Sequence, residues 1–260
     1  MNTGFSKVLK YELLNVSRNR WIFIYGILLF LITFAFIHIA GDFLKAALSL
    51  SSILVVLVPL TSVLFTTIYW YYSDRFTELL LTQPIPRLNV YLARIGAITV
   101  SLGTAFALAL TVPFLILGGL SGSVLLMAAT GLFLTVVFTT LGMLFGVLLG
   151  DRMKGVGLAL GLWFYFAILH DGLILILLLV FRDYPMDLPA GILGALNPIG
   201  LARVVLLMST NASMLLGHTG ALVRSLLTSS MGYVLATLLA LTWMTIPIAL
   251  GMRAFRRRDF

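Results

Sequence analysis

Residues 124–150 read VLLMAATGLFLTVVFTTLGMLFGVLLG, twenty-seven positions without one ionisable side chain. A bilayer's hydrocarbon core asks for about 20 apolar residues in a helix. The run is too long for a strand and lacks the alternation of a barrel strand. It reads as a transmembrane helix, and the same criterion applied outward finds five more, at 21–40, 46–72, 95–119, 156–181 and 226–251. The first of these has an apolar stretch too long for a signal peptide. His38-Ile39-Ala40 also lacks the small residue at the outer cleavage position, so 21–40 reads as a retained span. The expectation is one all-α, polytopic transmembrane domain over 1–260.

Composition agrees. The chain is 61% apolar and 10% charged, against roughly 45–50% and about 25% in soluble domains. That excludes a soluble enzyme, and disorder needs low hydrophobicity. With no cysteine, disulfides, thiolate metal sites and cysteine nucleophiles fall away together.

The charge is lopsided, 17 basic residues against 9 acidic, net +8. If both termini are inside, the inner segments hold Lys7, Lys10, Arg18, Arg20, Arg75, Arg87, Arg94, Arg152, Lys154, Arg253, Arg256, Arg257 and Arg258. The outer ones hold only Lys45, Arg182, Arg203 and Arg224. That bias predicts cytoplasmic N- and C-termini in a cell (inner) membrane. The basic excess is then an orientation signal, and no nucleic-acid partner is expected. Eight of the nine acids fall in loops or termini; Asp171 is the exception.

Two segments outside the spans carry a pattern. In 5–20, Phe5, Val8, Leu9, Leu13 and Val16 recur at helical spacing, with Lys7, Lys10, Glu12 and Arg18 elsewhere around the helix. This reads as an amphipathic helix on the inner membrane face, either a basic anchor or an elbow beside a cytoplasmic partner. In 73–94, Asp74 to Gln83 reads as a short helix stopped by Pro84-Ile85-Pro86, because proline lacks an N–H and disfavours helix in the residue before it. Asn89 to Arg94 then starts a helix that feeds the third span. Phe76, Glu78, Leu79, Leu80 and Leu81 are the candidates for docking into a partner's groove; a solvated helical hairpin is the alternative.

Within the spans, His170 and Asp171 lie in the middle of the fifth, where an ionisable group is costly. They read either as a proton or cation relay, or as a polar pair satisfied by a neighbouring helix. Gly142, Gly146 and Gly150, then Gly157 and Gly161, repeat every four residues. Such spacing lets helices approach closely, within the chain or between two copies. Pro59, Pro113 and Pro247 also fall inside spans, where a kink is tolerated if a neighbour satisfies the freed carbonyl.

The outer segment, 182–225, contains a short apolar helix from Leu201 to Thr210, on or re-entering the outer leaflet. Leu201, Val205 and Met208 are its candidates for contact with an outer partner. Met208, Met214 and His218 carry donors that suit copper(I), without tight spacing, and methionine also fills irregular apolar gaps. The chain has no G-x-x-x-x-G-K-[ST], H-E-x-x-H or G-x-S-x-G. No catalytic residue is expected, and any ATP hydrolysis belongs to another chain.

This order of elements resembles the type-two family of ABC exporter permeases: elbow helix, six spans, a coupling segment after the second and a longer outer segment before the sixth. Thr77-Glu-Leu-Leu-Leu-Thr-Gln-Pro-Ile-Pro-Arg87 resembles that family's coupling segment. Gly157-Leu-Ala-Leu-Gly-Leu-Trp-Phe164, Asp171, Leu196-Asn-Pro198 and Arg253-Ala-Phe-Arg-Arg-Arg258 resemble more closely the permeases associated with copper-site maturation of nitrous oxide reductase. One departure is the absence of an acidic, glycine-containing run before the coupling segment, where the chain has Tyr71-Tyr-Ser-Asp-Arg-Phe76.

The resemblance implies a homodimer bound to two copies of a cytoplasmic ATPase that carries ATP and Mg, with a periplasmic partner on the outer face. The alternatives of other kinds are a permease for a drug, lipid or other small molecule, an ion-coupled secondary transporter using His170 and Asp171, and a membrane assembly factor that transports nothing.

Overall fold

The computed structural model describes residues 2–41, 43–82, 85–117, 119–182, 184, 187–209 and 230–257. Every element among them is helical, and six helical stretches are long and apolar enough to cross a membrane. The chain is a multi-pass membrane protein of all-α architecture. In order, the elements are α1 (Asn2–Ser17), α2 (Arg20–Ala40), α3 (Phe43–Tyr72), α4 (Asp74–Leu81), α5 (Arg87–Leu117) and α6 (Gly122–Leu148). Then follow α7 (Arg152–Phe164), a π-helical turn (Tyr165–Leu169), α8 (His170–Val180), α9 (Asp187–Leu196), α10 (Pro198–Ser209) and α11 (Ser230–Arg257).

The spans are α2, α3, α5, α6, the α7–α8 run and α11. Polar side chains set three of their starts, Ser121 Oγ accepting from the Val124 amide at 3.4 Å to cap α6. Asn19 accepts a hydrogen bond from the Trp21 amide (3.0 Å) and caps α2; the Asp151 carboxylate accepts from the amides of Met153 and Lys154 (2.7 and 3.2 Å) and caps α7. Such caps satisfy N–H groups that a helix leaves unpaired. Two boundaries differ most from the sequence expectation, the others by four residues or fewer. The third span begins at Arg87 because 89–94 continues into it without a break, and the sixth extends to Arg257.

α6 is the most enclosed span, packed against α3, α5, α7, α10 and α11. Glycine makes its approach to α3 possible. A Cβ on Gly142 would lie 2.7 Å from the Val63 carbonyl oxygen, and one on Gly146 would lie 2.6 Å from the Trp70 indole. Across the same contact, Thr67 Oγ1 is 2.8 Å from the Val63 carbonyl and 3.1 Å from that of Gly142. Gly157 and Gly161 of α7 have nothing among the described residues within 4 Å of a built Cβ. Gly142 and Gly146 of the first series are thus used within the chain, Gly150 is not, and the second series faces away from the described helices.

At one end of the bundle, Phe255 of α11 packs edge-on to Trp70 of α3 and against Tyr91 of α5, with ring centroids 5.9 and 5.4 Å apart. The last turn of α11 therefore shares a face with α1 and α4, as six crossings require. We call this the basic face.

Candidate functional site

Two buried polar constellations stand out, one on the basic face and one deep in the bundle near the opposite side.

The first begins with α1. The helix packs on α5, and its buried stripe runs Val8, Glu12, Val16, one turn apart. This corrects the sequence reading, which set Glu12 apart from the apolar stripe and among acids in loops or termini. Its side chain is 0% exposed because it has a partner. Arg94 of α5, 1% exposed, donates from Nε (3.1 Å) and Nη2 (2.9 Å) to Glu12 Oε1. The other carboxylate oxygen accepts from the Tyr69 hydroxyl (3.0 Å), which accepts in turn from Asn15 Nδ2 (2.9 Å). Arg94 Nη1 donates to Thr77 Oγ1 of α4 (2.7 Å), and the Thr77 hydroxyl donates to the Ser73 carbonyl (2.9 Å). The guanidinium carbon lies 5.5 Å from the Trp70 ring centroid.

Both carboxylate oxygens and all three guanidinium nitrogens are thus engaged. A buried ion pair is tolerable only when its remaining hydrogen-bonding capacity is met in this way. The network joins α1, α3, α4 and α5 through side chains, and it attaches α4, a helix of 8 residues, to the spans. A second attachment is the stack of Phe76 on Tyr11 of α1, centroids 5.1 Å apart.

The second constellation centres on Asn197, 0% exposed, between α9 and α10. In the π-helical turn the His170 amide bonds to the Tyr165 carbonyl, five residues back. The Phe166 carbonyl, bypassed by that bond, accepts Asn197 Nδ2 at 2.7 Å. Asn197 Oδ1 accepts from the Ile199 amide (2.9 Å) and so caps α10, whose first residue, Pro198, has no amide hydrogen to satisfy. Trp243 of α11 donates to the Leu196 carbonyl (3.1 Å) and meets the Phe166 ring edge-on. A Cβ on Gly200 would sit 2.5 Å from the Gly194 carbonyl oxygen, so only glycine lets α9 and α10 close into a hairpin here. Phe166 lies midway along the fifth span. The hairpin tip therefore enters to about mid-span, where non-helical backbone survives only if protein covers it.

Above the tip, Arg203 of α10 donates to Asp171 of α8 in an ion pair whose side chains are 38% and 39% exposed. His170 is buried, with Tyr165 edge-on to it and no hydrogen-bond partner for its Nδ1 among the described residues.

The sequence-derived candidates divide as follows. On α4, Phe76 and Leu80 are half-buried and Glu78 is exposed; Leu79 and Leu81 lie on the same helix, with side chains outside the described set. On α10, Leu201 is 4% exposed. That corrects its nomination as an outer contact: it packs inside its own chain because α10 re-enters against α6 and α3. Val205 is half-buried, the Met208 side chain is outside the described set, and Met214 and His218 lie outside the described residues. The described residues contain no group of three or more His, Cys, Asp or Glu that could hold a metal.

Sequence reasoning missed Glu12, Arg94, Thr77 and Asn197. The available signal was a charge set inside an apolar stripe, Glu12 between Val8 and Val16 and Arg94 between Tyr91 and Ile95, with opposite signs on two helices. No family model matches the chain, and no curated protein matches it in sequence.

Proposed function

We propose that the chain is the permease subunit of an ABC exporter of the type-two class, driven by a separate cytoplasmic ATPase that binds ATP and Mg. The observation that supports this most is the polar network on the basic face. A short helix that only docked passively would need no buried ion pair behind it. Here α4 is joined through Thr77 and Arg94 to α5 and through Glu12 to α1. A push on α4 is thereby delivered to two spans and the amphipathic helix together, and packed elements of this kind shift as rigid bodies.

In this reading the basic face is cytoplasmic, in a cell (inner) membrane, because Lys7, Lys10, Arg18, Arg20, Arg152, Lys154, Arg256 and Arg257 collect there. Two ATPase copies serve two copies of this chain, and Glu78 and Leu80 on α4 contact the ATPase. The outward-facing Gly157 and Gly161 of α7 are the face offered to the second copy. The partly exposed Asp171–Arg203 pair agrees with such an assembly, since a charged pair at that depth is not left to lipid. Closing of the ATPases on ATP moves α4, and the spans carry the motion to the α9–α10 hairpin.

Within the class, the reading closest to the residues is a NosY-like permease supporting copper-site maturation of nitrous oxide reductase, with a periplasmic partner of NosD type at the hairpin. The support is the resemblance at Leu196-Asn197-Pro198, the residues that form the hairpin tip. An exporter of a drug, lipid or other small molecule is the alternative. An ion-coupled secondary transporter is disfavoured because Arg203 already engages the carboxylate such a transporter would use.

The test is Leu80→Asp combined with co-purification. The variant inserts in the membrane and loses its cognate ATPase; normal recovery of the ATPase would sink the docking proposal. An adjacent periplasmic repeat protein and copper chaperone are expected for the NosY-like case.

A further inference from the structure

Between α1, α2 and α5 lies a groove of about 670 Å³, within the 300–1,000 Å³ typical of small-molecule sites. Its floor includes Ile22, Gly26, Phe30, Ala105 and Ser101, and exposed Phe23, Thr104 and Leu108 form its open rims. The wall is almost wholly apolar, and the groove opens sideways from the bundle. From Ile22 to Phe30 it runs about 12 Å along α2, close to the roughly 15 Å depth of one leaflet's hydrocarbon.

Two polar features sit at the end of the groove nearest α1. Ser101 Oγ is buried, lines the groove and has no hydrogen-bond partner among the described residues. Arg18 and Arg20 are exposed at the α1–α2 junction, immediately beside lining residues Ser17 and Ile22, and neither enters a described ion pair. An apolar slot one leaflet deep, a buried hydroxyl at its shallow end and two cations above it form the complement of one molecule.

We propose that this groove binds a phospholipid with an anionic headgroup, from the leaflet on the basic face. One acyl chain lies along Gly26, Phe30 and Ala105. The Ser101 hydroxyl donates to an ester carbonyl, and Arg18 and Arg20 hold the phosphate, as basic residues do at anionic membrane surfaces. Arginine suits that role by its forked donors. The inference stands apart from the proposed transport function, since it needs only that the chain spans a membrane.

The test uses the full chain in phosphatidylcholine nanodiscs carrying a small fraction of phosphatidylglycerol with a photoactivatable group on one acyl chain. The same labelled chain on phosphatidylcholine is the comparison, and labelled residues are mapped by mass spectrometry. The expected result is labelling concentrated on 22–30 and 100–112, several-fold stronger for phosphatidylglycerol. Thr104→Trp, at an exposed groove position, reduces it several-fold while labelling of α8 is unchanged. Arg18→Gln with Arg20→Gln removes the headgroup preference. If Thr104→Trp fails to fold, Gly26→Leu takes its place, since a Cβ there meets only Ala105 at 3.7 Å. Labelling spread evenly over α8 and α11 overturns the proposal. So does no labelling in the groove, the outcome if a second protein segment covers it, or equal labelling by both lipids.

Discussion

Arg94 of α5 and Glu12 of α1, 82 positions apart in sequence, meet at 2.9 Å with both side chains withdrawn from solvent. The contact makes the amphipathic helix part of the bundle, and it stands directly behind the short helix on the basic face. Neither charge is affordable alone in that setting.

Breaking the pair from one side leaves an uncompensated buried charge. Arg94→Met and Glu12→Gln should each lower stability by about 3–5 kcal/mol, whereas the double variant Glu12→Leu with Arg94→Met should recover most of that loss. Thermal unfolding in detergent measures it. In the assembled complex, the recovered double variant should still bind ATPase but show weaker coupling of ATP hydrolysis, because α4 has lost its Thr77 tether.

Asn197 uses one side chain for two tasks, donating to Phe166 and capping α10. Asn197→Asp keeps the cap and loses the donor; Asn197→Ala loses both. A loss of about 1–3 kcal/mol is expected for the alanine, which leaves the Phe166 carbonyl unpaired, and a larger one for the aspartate, which sets a carboxylate against that carbonyl at mid-span. Faster amide hydrogen exchange in 187–209, with α3 and α6 unchanged, is the expected readout. Equal exchange in both variants and wild type would show that the tip is held by packing alone.

Asp171→Asn leaves Arg203 without its counter-charge. Because the pair lies near mid-span, the unpaired cation costs about 3 kcal/mol, and Arg203→Gln added to Asp171→Asn should reduce it. A proton- or ion-coupled transporter would lose all activity in the single variant. An ATP-driven permease should keep nucleotide-dependent activity, measured in proteoliposomes.

The two glycine series should respond oppositely. Gly142→Leu or Gly146→Leu drives a side chain into Val63 or Trp70 and should destabilise by at least 1–3 kcal/mol. Gly157→Leu and Gly161→Leu meet nothing among the described residues and should leave unfolding unchanged. If α7 faces a second copy, these last variants shift the chain toward monomer in cross-linking or native mass spectrometry.

How legible the protein was can be judged helix by helix. The span at 124–150 needed only its own composition, because moving such a run into hydrocarbon is favourable whatever its neighbours are. The short helix after the second span was legible from its prolines, and the amphipathic helix from its spacing. Glu12 was misplaced because periodicity assigns a lone charge to the polar face. It cannot tell a solvated carboxylate from one awaiting a cation on another helix. Asp171 stands out as an anomaly, but hydropathy does not pair it with Arg203, because an apolar helix lying on the outer leaflet and one re-entering the bundle read alike. Leu201 is a contact residue on the first and a core residue in the second.

Hydropathy and charge bias are sums over neighbouring residues, and each term depends on one side chain and its solvent. They therefore determine that six helices cross, where most of them begin to within a few residues, and which side the basic excess favours. Pairing depends on which helix faces meet. That choice rests on close approaches such as Gly142 to Val63 and on partners for buried polar groups, such as Arg94 for Glu12 and Asn197 for the Phe166 carbonyl. Those partners lie from 31 to 82 positions apart in the chain. Only the tertiary structure brings them together, because the energy that selects them is absent until the helices pack.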